Sequence, residues 1–491
     1  MLRNVAFDRL SGDPNVAVNG VGADSRRVEP GEVFVCLPGY RSEGGEMRAD
    51  RHDFVPQALQ RGAAALVVER PVDAVPGTTV VRVADAWSAI AAMACEYYEH
   101  PSQALLTVGV TGTSGKTSTT YFIESVLVAA GRRSARLGTI EYKIADNVFP
   151  AAQTTPEAPE LQRLLRQIAD SSCTAVVMEV SSHALALRRV AGVAFDVAVF
   201  TNISQDHLNF HPDMHHYLRT KGLLFEELGS GGKQATAVVN VDDPASRHII
   251  AVNRGALITY GVAAHADVRA EDVDSGLHGT RFIAHTPKGV LQVSLRHLGE
   301  FHLHNALAAV GVGVALNIDL ETIRRGIADA PPVPGRFELV DAGQDFQVAV
   351  DYAHKPDALE RLLRSARNLQ PQRIITVFGC GGDRDRSKRP QMGRIAAKLS
   401  DAVIVTSDNQ RSEPAERIID EIVSGVPADR SASVRREADR TRAIGAAIAM
   451  AQPDDIVLIA GKGHETYQIL ADRRVELDDR EVARVALRRR R

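Results

Sequence analysis

Val108-Gly-Val-Thr-Gly-Thr-Ser-Gly-Lys-Thr-Ser118 is the stretch from which the rest of the chain can be read. The apolar run Leu105 to Val110 predicts a buried strand, and the residues from about Thr117 to Ala130 predict a helix. Between them, Gly112 and Gly115, with Thr113 and Ser114, permit a tight turn that aims several backbone N–H groups at one anion. Lys116 sets a cation beside the same phosphates, and the Thr117 hydroxyl, followed by Ser118, suits Mg²⁺. The spacing from Gly112, G-T-S-G-K-T, is shorter than the common GxxxxGK[ST] loop. A plain glycine-rich turn with a surface lysine is the alternative. The strand–loop–helix context favours ATP without saying what the ATP drives.

The 491 residues predict two to four domains. A hydrophobic content of 44% is enough for ordinary cores, and a net charge of −3 gives no general pull toward nucleic acid or anionic membrane. Arg488 to Arg491 reads as a solvated, frayed basic end. Cys36, Cys95, Cys173 and Cys380 are far apart, which argues against a zinc site or a disulfide framework and fits a reducing cytoplasm. The first residues lack the apolar core of a signal peptide, and no 18-residue apolar run predicts a membrane span.

Three units are predicted, at 1–100, 101–334 and 335–491. In the first, Val33 to Leu37 and Ala64 to Val68 read as strands, and Phe54 to Gln60 and Ala86 to Glu99 as helices. Asp24-Ser-Arg26 reads as a polar turn. In the second, apolar strands end in polar clusters: Ala175 to Met178 in Glu179-Val-Ser-Ser-His183, Val197 to Phe200 in Thr201-Asn-Ile-Ser-Gln-Asp-His207, and Ala237 to Val241 in Asp242-Asp243. Helices intervene, such as Glu160 to Ala169, so the sheet is expected to be parallel, with ligands beyond the carboxyl ends of its strands. Alternation over 265–300 predicts a small antiparallel insertion, and Pro331-Pro-Val-Pro-Gly-Arg336 a stiff linker. In the third unit, Phe346 to Val350, Ile374 to Phe378, Ala402 to Thr406 and Ile456 to Ile459 each run into a polar or glycine-rich turn, predicting a second doubly wound sheet.

Glu179 can offer a carboxylate to Mg²⁺, while the softer His207 can serve as a ligand or pair with Glu179 in acid–base work. Lys221, in Tyr217-Leu-Arg-Thr-Lys-Gly-Leu-Leu-Phe225, reads as an exposed helix lysine. Arg384, Arg386 and Arg411 suit carboxylates or phosphates, and Asp408 and Glu465 suit an ammonium group. Together they fit an amino acid; a surface ion-pair network is the alternative.

Taken together, Thr111-Gly-Thr-Ser-Gly-Lys-Thr117, Glu179-Val-Ser-Ser-His183, Thr201 to His207, Lys221, His304-Asn305, Pro334-Gly-Arg336 and Asp351-Tyr-Ala-His354 resemble the Mur ligases, over essentially the whole chain and in order. The resemblance implies an α/β fold of three domains: a central P-loop-type parallel-sheet ATPase flanked by an N-terminal α/β domain that binds the UDP-muramoyl substrate and a C-terminal Rossmann-like domain that binds the amino acid. It implies ATP-dependent addition of meso-diaminopimelate to UDP-N-acetylmuramoyl-L-alanyl-D-glutamate through an acyl phosphate, with Mg²⁺, in peptidoglycan precursor synthesis. The expected partners are those three substrates, with no nucleic acid, no membrane insertion and a monomeric, cytoplasmic enzyme.

By the same resemblance Lys116, Lys221 and His207 would be catalytic. Gly112 to Ser118, Asn305, Arg336 and Asp351 would bind ATP, with Thr117, Glu179, His207 and Lys221, as a carbamate, near metal. Ser25, Thr154, Thr155, Ser181 and Arg189 would bind the UDP-muramoyl dipeptide, with Tyr40-Arg-Ser42 near the nucleotide and Leu187 where many members have glutamine. Arg384, Asp408, Asn409, Gln410, Arg411, Gly461 and Glu465 would surround the amino acid. Asp408-Asn-Gln-Arg411 stands where diaminopimelate-adding members have Asp-Asn-Pro-Arg, and Arg411 can clamp a second carboxylate that lysine lacks. A lysine-adding member, a folate-extending relative, and a nucleotide-binding regulator without ligase activity are the competing readings. Domain closure is expected to complete the site.

Overall fold

The computed structural model describes residues 1–42, 46–73, 76–263, 265–471 and 473–490. It is α/β throughout and divides by compactness into two units. The first comprises Met1–Arg269, His285–Leu291 and His304–Ile327; the second comprises Ala270–Ala284, Gln292–Leu303 and Ala328–Arg491.

The first unit opens with β1 (Arg9–Ser11), β2 (Val21–Gly22), β3 (Val33–Val35), the short pair β4 (Tyr40–Arg41) and β5 (Met47–Arg48), α1 (Val55–Gln60), β6 (Ala65–Val68), β7 (Thr79–Arg82) and α2 (Ala86–Tyr97). A sheet in the order β1-β7-β6-β3-β2 results, parallel except for β1. Both of its faces are covered, which is why its strands are apolar at successive positions. Val33 and Val35 pack with Ile90 and Met93 of α2, while Phe34 packs with Val55 and Ala58 of α1. Asp85 caps α2 by accepting from the Trp87 and Ser88 amides at 3.0 and 3.1 Å.

There follow β8 (Leu106–Thr111), α3 (Lys116–Ala129), β9 (Ser134–Leu137), β10 (Glu141–Ile144), β11 (Asn147–Pro150), α4 (Ala158–Asp170), β12 (Ala175–Glu179), α5 (Ser182–Ala186), β13 (Val197–Phe200), α6 (Met214–Glu226), β14 (Thr236–Asn240), α7 (Ser246–Val252), β15 (Ala256–Gly261) and β16 (Val268–Gly276). The sheet runs β11-β10-β9-β12-β8-β13-β14-β15-β16, parallel from β9 onward. Strand β8 lies between β12 and β13, so successive connections diverge on either side of it, the topological point at which such sheets bind ligands. Register aligns Val110 with Glu179 and Thr111 with Phe200, so the strands' polar extensions leave the sheet at one edge.

Strand β16 continues into the second unit; β17 (Gly279–Thr286) and β18 (Gly289–Leu295) follow, their joined ends at His285–Leu291 belonging to the first unit. Two-residue connections make them hairpins, and Ser275 Oγ lies 2.8 Å from Thr280 Oγ1 across the first turn. Helices α8 (Glu300–Ala315) and α9 (Leu320–Ala328) come next. The remainder is β19 (Glu338–Leu339), β20 (Gln347–Asp351), α10 (Pro356–Asn368), β21 (Ile374–Phe378), α11 (Lys388–Leu399), β22 (Ala402–Val405), α12 (Ala415–Val423), β23 (Val434–Arg436), α13 (Arg440–Met450), β24 (Ile456–Ala460), the hairpin β25 (Tyr467–Leu470) and β26 (Arg473–Glu476), and α14 (Asp479–Arg490). The order β19-β20-β24-β21-β22-β23, parallel but for β19, registers Asp351 and Phe378 with Ala460. One face carries Leu359, Leu363, Met392 and Ile419, joined by Leu298 from the segment after β18; the other carries Ile444, Ile448, Ala483 and Leu487.

The end of the proline-rich stretch, expected to be stiff, is not loose: Gly335, at φ +64°, sits so close to Gly463 and His464 that a Cβ would lie 2.1 Å from the His464 amide nitrogen. Its carbonyl accepts from the Tyr352 amide at 2.9 Å. Nor is the basic end frayed as far as Arg490, which closes α14, donates to the Ile448 and Ala451 carbonyls and lies over the Phe346 ring. Arg491 lies outside the described residues. Among the described residues no helix is long and apolar enough to cross a membrane.

Candidate active site

In the first unit the loop from Gly112 to Gly115 passes from β8 into α3 by a path only glycine fits easily. Gly112 and Gly115 have φ of +150° and +86°; a Cβ on Gly112 would lie 1.9 Å from Thr201 Oγ1, and one on Gly115 2.7 Å from Asn305 Oδ1. Residues after β13 hold the loop from outside: Asn202 Oδ1 accepts from the Ser114 amide at 3.0 Å, and Thr201 Oγ1 donates to the Ser114 carbonyl at 2.7 Å. Lys116 folds back onto the Gly112 and Thr113 carbonyls at 2.9 and 3.0 Å. Thr119 donates to Asn305 Oδ1 at 3.1 Å, while Asn305 Nδ2 is a buried donor without a partner. The helix N-terminus, lysine and orphaned amide could cradle a phosphate-bearing ligand.

Glu179, at the end of β12, is buried and accepts three hydrogen bonds. Its Oε1 accepts from the Thr117 hydroxyl at 2.9 Å and the Thr139 amide at 2.8 Å, and its Oε2 accepts from the Thr139 hydroxyl at 3.0 Å. Hard oxygen donors beside a phosphate loop suit Mg²⁺, so Thr117 and Glu179 fit that ion. His207 belongs to a cluster of rings. It has φ +55° and packs edge-on against His183, with centroids 4.8 Å apart, and against Tyr217 at 6.2 Å. Among the described residues no three His, Cys, Asp or Glu side chains are grouped to hold a metal.

Lys221 corrects the reading of an exposed helix lysine. It is 1% exposed, inside α6, with Nζ donating to the Gly112 carbonyl at 2.9 Å and lying 4.6 Å over the Tyr217 ring. Burial, and then the nearby Lys116 charge, hold its amine well below the usual lysine range. Tyr217, Leu224 and Phe225, four residues before and three and four after it, are the buried face of α6, so helical spacing already sets Lys221 among core residues and its charge alone suggested exposure.

The residues expected to hold the dipeptide are brought together next to Glu179. Thr154 Oγ1 lies 3.1 Å from Thr139 Oγ1, Thr155 Oγ1 donates to the Glu179 carbonyl at 2.9 Å, the Ser181 amide donates to Thr155 Oγ1 at 3.1 Å, and Arg189 donates to the Thr155 carbonyl at 3.1 Å. Leu187 is buried where it closes α5. Ser25 is elsewhere, in the turn after β2, buried and donating to Gln57 at 2.6 Å. Tyr40 stands edge-on to Trp87 at 5.2 Å, and Arg51 joins Ala23 to Glu157 at the start of α4.

In the second unit the strand ends collect a different set. Asp408, Asn409, Gln410 and Arg411 follow β22, and Gly379 to Arg386 follow β21. The two loops touch: a Cβ on Gly382 would lie 1.8 Å from the Gln410 carbonyl oxygen. Arg411, at φ +51°, donates to the carbonyls of Gly382 at 2.8 Å and Asn409 at 3.3 Å. Glu465 Oε2 accepts from Asn409 at 2.8 Å and from buried Lys462 at 3.0 Å. Gly461, at φ +117°, leaves room for Asp408, whose Oδ2 would lie 2.8 Å from a Cβ there. Burial pushes the Asp408 carboxyl up, but Arg440 and Lys462 outweigh it and hold it below the usual range. Arg384 is exposed and donates to the Asp383 carbonyl at 3.2 Å, and Arg386 pairs with Glu421.

Asp351 ends β20, accepting from the Phe337 and Ala353 amides at 2.8 Å each; burial raises its pKa against the pull of Arg336. Arg336 stacks over Tyr352 at 5.0 Å, and its Nε is buried without a partner. Sequence reasoning missed Thr139, Lys462 and Gln468 as individuals. Thr139 carries no local signal, whereas Lys462 sits between two glycines at a strand end, a pattern that could have marked it.

The sequence matches the Mur ligase family catalytic domain over residues 17–98, the Mur ligase middle domain over 110–313, and the Mur ligase glutamate ligase domain over 335–463. It is 45% identical over 482 residues to a Geobacillus kaustophilus protein named UDP-N-acetylmuramoyl-L-alanyl-D-glutamate–2,6-diaminopimelate ligase, with 98% of this chain and 96% of that protein covered. A Gloeobacter violaceus protein of the same name is 46% identical over 480 residues, with 97% and 95% covered. A solved structure of a ligase of that name is 32% identical and superposes with a TM-score of 0.71, covering 96% of this chain and 95% of the other.

Proposed function

We propose, from the premise that this chain belongs to the Mur ligase family, that it is the ATP-dependent ligase joining meso-diaminopimelate to UDP-N-acetylmuramoyl-L-alanyl-D-glutamate in peptidoglycan precursor synthesis. The observation that carries the choice of amino acid is Arg411, which ends the Asp408–Arg411 loop beside Asn409, Lys462 and Glu465. A guanidinium there answers the second carboxylate of diaminopimelate, which lysine lacks, while Glu465 and Asp408 answer ammonium. The lines of work for this enzyme are those of a monomer in the cytoplasm, where ATP and the nucleotide-linked precursor are available.

The D-glutamyl γ-carboxylate attacks the γ-phosphorus of ATP, the bond to the bridging oxygen breaks, and ADP leaves. The amine of diaminopimelate then attacks the acyl phosphate carbonyl, loses a proton, and inorganic phosphate departs. The Gly112–Lys116 amides and the Lys116 ammonium would neutralise charge that develops on the transferred group. Asn305, Arg336 and Asp351 would hold the nucleotide; the buried, unpartnered Asn305 Nδ2 and Arg336 Nε support this. Thr154, Thr155, Ser181 and Arg189 would hold the dipeptide carboxylate, with Ser25 toward the uridine nucleotide. Thr117 and Glu179 would hold Mg²⁺, which supplies a fixed positive charge to the phosphates when bound. Burial holds the Lys221 amine well below the usual lysine range and so favours the unprotonated form that accepts CO₂, which supports a carbamate there; His207 would orient beside it.

The test offers meso-diaminopimelate and lysine in parallel with the UDP-muramoyl dipeptide and ATP. Amide product and phosphate are expected with diaminopimelate; ATP turnover without product, or equal use of lysine, refutes the assignment. Label placed in the γ-carboxylate oxygen should emerge in phosphate, and its absence there excludes the acyl phosphate.

A further inference from the structure

The Asp408–Arg411 loop is held by a part of the chain that no chemistry above uses. Gln468, on β25, is 4% exposed and spends both amide hydrogens on the loop, donating to Ser407 Oγ at 2.8 Å and to the Asp408 carbonyl at 2.9 Å. The next amide, Ile469 N, donates to Asn409 Oδ1 at 2.9 Å, and the Arg411 amide donates to the Ile469 carbonyl at 3.2 Å. A bridge pairs Arg411 with Leu470. The hairpin therefore lies along the loop like an added strand.

The loop needs such a hold. Arg411 sits in the left-handed region at φ +51°, a conformation a side-chain-bearing residue keeps only where its surroundings over-determine it. From the other side Gly379 and Gly382 press backbone against the Thr406 and Gln410 carbonyls. Gln410 leaves φ unlocked where a proline would fix it. Much of the constraint comes from outside the loop: Lys462 and Arg440 bond Asn409 and Ser407, and Gln468 is the buried side chain that bonds both Ser407 and Asp408.

We infer that Gln468 is a positioning residue for amino-acid selection, holding the Asp408–Arg411 loop in the shape that presents Arg411 without itself touching substrate. The inference rests on the assignment of this loop to the amino acid.

Gln468→Met, in the full chain, keeps volume and removes both donors. Two neutral hydrogen bonds lost from a buried loop predict a KM for meso-diaminopimelate raised about 10- to 100-fold, with preference over lysine reduced by a similar factor. KM for ATP and for the UDP-muramoyl dipeptide should stay within about twofold, since neither ligand depends on these two bonds. Ser407→Ala removes one of the two acceptors and should produce a smaller shift of the same kind, about 3- to 10-fold, which keeps the test available if Gln468→Met fails to fold. Unchanged selectivity in the folded variants overturns the inference, as does a parallel rise in all three KM values, the mark of general loosening. A wild-type enzyme that does not ligate diaminopimelate overturns the functional reading instead.

Discussion

Arg411 carries a strained backbone and a charged side chain at once, and two substitutions separate them. Arg411→Ala and Arg411→Gly both delete the guanidinium and its bonds to the Gly382 and Asn409 carbonyls, so that loss cancels in a comparison of the two. What remains is the backbone at φ +51°. Left-handed geometry costs an L-residue about 1–2 kcal/mol that glycine avoids, and glycine gives back roughly 0.4–1 kcal/mol through its freer unfolded state. The glycine variant should therefore be the more stable by about 0.5–1 kcal/mol, or about 1–4 °C in a melting transition. On the substrate side the two should be indistinguishable. A bidentate guanidinium–carboxylate contact is worth about 2–4 kcal/mol, so KM for meso-diaminopimelate should rise about 30- to 1,000-fold in both. KM for lysine should move less than about threefold, since lysine has no second carboxylate to lose. Differential scanning fluorimetry and steady-state kinetics supply the two readouts. An alanine variant more stable than the glycine one would refute the strain argument; a diaminopimelate KM near the wild-type value in either would refute the clamp.

Gly112→Ala should abolish nucleotide binding in a fluorescence titration, and Thr201→Ala should restore it only in part, because Asn202 backbone atoms also lie 3.0–3.1 Å from the added carbon. Burial, and next the neighbouring His216, hold the His211 imidazole down at about 4, against about 6.5 when unfolded. A depressed histidine favours the native state fully above the unfolded value and loses that contribution as pH falls from about 6.5 toward 4, so urea stability should decline over that window; His183, His302, His354 and His464 are depressed too, so His211→Gln should lessen the decline by one histidine's share. Arg440 and Asp479 form a fully buried bidentate pair at 2.7 Å. Arg440→Met alone should destabilise by about 3–5 kcal/mol, whereas Arg440→Met with Asp479→Leu should recover most of it in chemical denaturation.

The fold was legible wherever strands are apolar on both faces. The runs before Glu179, Thr201, Asp351, Gly379, Ser407 and Gly461 announce themselves, and their polar extensions follow. Strand β9 was not legible, because buried Ser134 and Arg136 break its apolar run; Arg136 is paired internally with Glu124 and Glu141 and stacked on Tyr121. Lys221 was legible only in part: its spacing from Tyr217, Leu224 and Phe225 puts it on the core face of α6, but the carbonyl its amine meets lies 109 residues away. Gln468 is an ordinary polar strand residue until the hairpin is seen against its loop.

The seam between the compact units has a practical consequence for anyone who would cut this protein apart. A fragment begun at residue 335, where the glutamate ligase domain match starts, would leave behind Ala270–Ala284 and Gln292–Leu303. It would forfeit Leu298, fully buried in its own interior, and the flanking Leu277 and Phe301. The chain threads from one body to the other five times, at 269, 284, 291, 303 and 327, so neither can be inherited, swapped or expressed as an uninterrupted cassette. Any exchange of amino-acid specificity between relatives must carry those two short loans of sequence with it.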